Sequence, residues 1–63
     1  MENYLIIGRD IYGNYTIRAE LDGLRLDQIK YMFYSKREAV RAYRARFGLT
    51  GKHFFTIDNT REV

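Results

Sequence analysis

The chain carries a single imidazole, His53, set between Lys52 and Phe54, and no cysteine. No acid stands at a catalytic spacing from it, so it reads as a strand or loop residue. Ser35 is the only serine. A Ser-His-acid triad would need it as nucleophile, but Glu38 follows three residues later, the spacing of a helix-capping box. Asp10, Asp22 and Asp27 lie beside turn signals, where Asp serves the backbone. A metal ion needs three or four converging ligands, and no cluster has that spacing. Gly8 and Gly13 match G-x-x-x-x-G, yet Asn14 and Tyr15 follow where a phosphate loop needs Lys and Ser or Thr. The sequence thus implies no enzyme, no cofactor and no metal.

The residues best suited to bind something are basic. Lys36, Arg37, Arg41, Arg44, Arg46 and Lys52 are opposed only by Glu38, giving that segment +5 against −2 for the rest and +3 in total. Arg37, Arg41 and Arg44 recur at i, i+4 and i+7, a stripe along one side of a helix. The planar fork of Arg donates paired hydrogen bonds to phosphate. Such binding would be sequence-independent and would weaken with salt. The same stripe also suits a solvated flank whose stems cover apolar sheet edge.

The elements that would hold these residues are four strands and one helix. Tyr4 to Arg9 contains the apolar run Leu5-Ile6-Ile7. Tyr15 to Leu21 alternates, with Tyr15, Ile17, Ala19 and Leu21 on one side and Thr16, Arg18 and Glu20 on the other. Asp22-Gly23 is a turn dipeptide. Leu24 to Gln28 is ambiguous between strand and loop. A third strand is expected from Ile29 to Tyr34, with Ile29, Tyr31 and Phe33 inward and Lys30, Met32 and Tyr34 outward. The helix is expected from Lys36 to Phe47, ended by Gly48, with Ala39, Val40, Tyr43 and Phe47 on its buried face. Leu49 can fold back beneath it. His53 to Ile57 should return to the sheet with Phe55 and Ile57 inward, and 59–63 should form a frayed tail.

This order gives an α+β fold, a small antiparallel sheet of three or four strands with one helix across one face. At 63 residues the chain is one small domain that buries only about 60% of its unfolded surface. Aromatics make up 16%, too many for a disordered chain. No apolar run is long enough for a membrane span. The lack of Cys suggests a reducing compartment such as the cytoplasm.

The run Phe33-Tyr34-Ser35-Lys36-Arg37-Glu38-Ala39-Val40-Arg41-Ala42-Tyr43 resembles the strand-to-helix junction of the apetala/ethylene-response type DNA-binding domain and its integrase and phage relatives. Gly13-Asn14-Tyr15-Thr16-Ile17-Arg18-Ala19 resembles the opening of that family's second strand. The likeness covers about a third of the chain. The first strand has one Arg where the family is Arg-rich, Tyr31-Met32 replaces its Leu-Gly, there is no Trp, and the last strand is additional. The resemblance implies DNA binding through the sheet face, with Arg9, Arg18 and Lys30 as contacts and the helix as support.

Two expectations follow. One is a non-catalytic nucleic-acid-binding module using Arg9, Arg18, Lys30, Arg37, Arg41 and Arg44. The other is a protein-interaction module, as a phage or mobile-element adaptor or inhibitor or as a homodimer, using the exposed Met32 and Tyr34.

Overall fold

The computed structural model describes residues 2–60. The order is β1 (Asn3–Arg9), β2 (Tyr15–Leu21), β3 (Leu24–Arg25), β4 (Ile29–Tyr31), α1 (Lys36–Arg46) and β5 (Phe55–Asp58). β1 and β2 pair antiparallel over their full lengths, from Asn3 opposite Leu21 to Arg9 opposite Tyr15. The α+β class holds: one helix lies on an open sheet that is antiparallel through β4. β5 then joins the outer side of β1 in parallel, Tyr4 opposite Phe55 and Ile7 opposite Asp58. The helical crossover from β4 permits that direction, because it carries the chain across the sheet to the far edge before β5 begins.

Asp22 and Gly23 both have positive φ, at 48° and 88°. Left-handed residues at both central positions give the tight turn whose twist matches a hairpin, so β3 leaves directly against β2. Glu20 pairs Arg25, but Ile17 pairs Ile29. Leu26 still donates to the Ala19 carbonyl at 2.9 Å. Asp27 and Gln28 therefore oppose Arg18 alone, which is a bulge. The extra residue lets Leu26 and Ile29 both pack against the core. The ambiguous stretch 24–28 is thus a short strand followed by a bulge.

The helix follows its sequence signals. Ser35 Oγ accepts from the Glu38 N–H at 3.1 Å, and Glu38 Oε1 accepts from the Ser35 N–H at 3.0 Å. At the other end Gly48 has φ 66°. Leu49 N–H donates to Arg44 O and Gly48 N–H to Ala45 O, the paired bonds of a glycine-terminated helix. Leu49 is thereby folded into the core.

The core is Leu5, Ile7, Ile17, Ala19, Tyr31, Ala39, Tyr43 and Leu49. Ala19 and Ala39 are fully buried, and their small side chains let helix and sheet approach closely. Three expected core residues fall elsewhere. Phe33 is 99% exposed, because β4 ends at Tyr31 and the chain turns away. Phe55 and Ile57 are also exposed. Their partners Tyr4 and Ile6 alternate with the buried Leu5 and Ile7, so they lie on the face opposite the helix. Phe54 takes the inward place instead. Of the expected tail 59–63, Asn59 donates to Ile7 O at 2.8 Å and extends the parallel ladder; 61–63 lie outside the described residues.

Candidate functional site

The expected basic site is divided between two layers. Arg18 and Lys30 alternate with buried residues of β2 and β4, so they face away from the helix. Arg37 and Arg41 are exposed on the helix, on the other side of the molecule. Arg9 follows Leu5 and Ile7 in phase and lies on the helix side, its guanidinium 5.5 Å from the Tyr15 ring centre. Arg44 serves the fold. Its Nη2 donates to the carbonyls of Leu49 and Lys52, at 3.2 and 2.5 Å, and its guanidinium covers Phe54. Lys30 sits 3.7 Å from Asp10, and on the same face Arg25 sits 3.8 Å from Glu20. Among the described residues, Arg18 and Lys30 thus do not share a face with Arg37 and Arg41.

The face opposite the helix instead carries an apolar band. Tyr4 and Phe55 rings lie 5.9 Å apart, and His53 stands edge-on to Phe55 at 5.3 Å. Ile6 and Ile57 pair beside them. His53 is a ring in this band, and among the described residues no group of acids and histidines could hold a metal.

A second constellation lies at one end of the sheet. The last cross-strand row there is Arg9, Tyr15 and Tyr31. Two loops leave from it, 10–14 and 32–35. They present Ile11 at 90% exposure, Tyr12 at 81% and Phe33 at 99%, with Met32 and Tyr34 about half exposed. Phe33 has φ 65°, a left-handed conformation that costs a bulky residue on the order of 1–2 kcal/mol. Tyr34 turns edge-on to Tyr31 at 5.1 Å. A shallow groove between the second loop and the helix is lined by Phe33, Tyr34, Glu38, Arg41, Ala42 and Ala45.

The first loop is held by Asp10. Its Oδ1 accepts from the N–H groups of Tyr12 and Asn14, both at 2.9 Å. Hydrogen bonding from Asn14 and Tyr12, joined by the charge of Lys30, holds the Asp10 carboxyl below its ordinary pKa. Asp10 thus ties its own turn together and lies within ion-pair reach of β4, whose end launches the second loop. Of this site, Met32 and Tyr34 were legible as exposed residues. Phe33 was missed because alternation carried it inward; Ile11 and Tyr12 carried no pattern beyond their place in a turn.

Compared with known protein families, curated proteins and solved structures, the chain matches none. No helix among the described residues is long and apolar enough to cross a membrane. The functional reading therefore rests on the surface itself.

Proposed function

We propose that the protein is a small, non-catalytic protein-interaction module that binds its partner through the loop end of the sheet. The observation that carries this reading is Phe33, fully exposed and held in a left-handed backbone conformation. Folding gains nothing from burying it and loses energy in placing it. Strain of this kind is retained where the exposed group is used. Ile11, Tyr12, Met32 and Tyr34 are also exposed on the two loops at this end, and their composition is that of an interface centre. The Asp10 hydrogen bonds fix the first loop in advance, which lowers the ordering cost of binding.

The partner's chemistry follows from the lining. It offers an apolar side chain to the Phe33–Ala42 groove, with polar groups for Glu38 and Arg41 at the rim. Nucleic acid fits less well, because the cations lie on opposite layers and Lys30 and Arg25 have acidic neighbours. A photo-reactive phenylalanine at position 33, introduced in the cells that make the protein, tests the proposal. One protein adduct, reproduced with purified components, is expected. No protein adduct, together with salt-sensitive oligonucleotide binding abolished by Arg18→Glu, would overturn it.

A further inference from the structure

The two edges of the sheet are protected unequally. The outer edge formed by β3 and β4 is broken by the bulge at Asp27–Gln28 and carries Arg25 and Lys30. Bulges and edge charges are the usual devices against strand pairing. The β5 edge, Phe55-Thr56-Ile57-Asp58, has no bulge among its four residues and a single charge at its end. It contains no Pro or Lys, and every residue is exposed. Its one charge, Asp58, is engaged by Lys36 at 2.6 Å.

The direction of the unpaired groups can be derived. Asn59 N–H donates to Ile7 O, and alternate residues of a strand turn their backbone groups to the same side. Residues 55, 57 and 59 therefore face β1. Thr56 and Asp58 direct N–H and C=O outward, with no strand against them among the described residues.

We infer that β5 pairs antiparallel with β5 of a second copy of this chain, about a two-fold axis through Thr56. This inference is independent of the loop-end reading. A two-fold pairing of strands needs a register in which each residue meets its own copy or one an even number away, so that the faces match. Thr56 opposite Thr56 of the partner subunit satisfies this as a hydrogen-bonded pair. It sets Phe55 against Ile57 of the partner subunit on the face opposite the helix, so the Tyr4–Phe55 band runs on across the axis. Centring on Asp58 would oppose two like charges, which is destabilising. Centring on Ile57 would set Ile57 against its own copy but place Phe55 beside Asn59, leaving one apolar pair where the Thr56 register makes two.

Light scattering on the intact chain, over a concentration series, tests the inference. The expected mass is twice the 7.6 kDa of one chain. The Thr56 amide should exchange slowly with solvent in the dimer. Thr56→Pro deletes an outward N–H and leaves the β1 ladder intact, so it should halve the mass and keep the circular dichroism spectrum. Thr56→Lys, which adds an edge charge without a backbone change, should do the same if Pro perturbs the fold. A single-chain mass at every concentration with rapid Thr56 exchange would overturn the inference. So would a dimer that survives Thr56→Lys, and so would one dissociated only by Phe33→Ser, since that would place self-association at the loop end.

Discussion

The hydroxyl of Tyr43, at the centre of the helix, donates a 2.6 Å hydrogen bond to the backbone carbonyl of Asp27 in the bulge. Leu26 bonds to β2, so the Asp27 carbonyl after it turns away from that strand, and the fully buried Tyr43 supplies its donor. One side chain thus fills the core and fixes the place where the third strand shifts register. β4, which leads to the loop that presents Phe33, begins two residues beyond this contact.

Tyr43→Phe keeps the ring and removes the donor. The carbonyl is left short of a partner, and the expected loss is about 1–3 kcal/mol, measured by urea denaturation. Tyr43→Ala should cost more, about 3–5 kcal/mol by analogy with other buried aromatics. A Tyr43→Phe protein as stable as the parent would show that water satisfies the bulge.

Replacing Asp10 by Ala should loosen the first loop without unfolding the sheet. The amides of Tyr12 and Asn14 lose their acceptor, so their hydrogen exchange should accelerate while that of Ile7 and Ile17 is unchanged. Equal acceleration throughout would mean that Asp10 supports the whole fold.

Phe33→Asn should stabilise the protein by about 1 kcal/mol, because Asn tolerates the left-handed region better than a bulky aromatic. The thermal midpoint should rise accordingly. A fall would mean that Phe33 makes a stabilising contact and is not simply displayed.

The pH dependence has a determined sign on both sides. The carboxyls of Asp58, Asp10 and Glu38 are held below their ordinary values, chiefly by Lys36 and Thr60, by the Asn14 and Tyr12 amides, and by Ser35. Their contribution is present above the unfolded carboxyl range, near pH 4, and is lost as pH falls through the folded values. Burial raises the hydroxyl pKa of Tyr43 and Tyr31, so their contribution is lost as pH rises past the ordinary tyrosine value of 10.0. Urea midpoints should be flat near neutrality and fall on either side. Glu38→Gln and Asp58→Asn should each flatten the acid limb.

Much of the fold was legible in the sequence because its signals are local. Ser35, Glu38 and Gly48 bound the helix, and Tyr15 to Leu21 alternates without interruption. The errors arose where phase was undetermined. In Phe54-Phe55-Thr56-Ile57 a one-residue slip exchanges the faces, and composition does not choose between them. Leu5-Ile6-Ile7 likewise gives no phase, so Leu5 and Ile7 were not picked out for the core. Phe33 continued the alternation of Ile29 and Tyr31, but the chain leaves the sheet at Met32. The bulge depends on a partner in the helix, which sequence neighbours cannot reveal. Of the basic stripe, Arg44 folds back onto the loop carbonyls of Leu49 and Lys52, while Arg37 and Arg41 stay exposed on the helix, with the sheet between them and Arg18 and Lys30.

The affinity of the partner captured at position 33 for Phe33→Asn and for Arg18→Glu, measured side by side by calorimetry, tests the central claim most directly. Loss of an anchor residue should weaken binding by at least about tenfold for Phe33→Asn, with Arg18→Glu unchanged. Unchanged binding by Phe33→Asn, with binding lost in Arg18→Glu, would contradict the account and move the site to the sheet face.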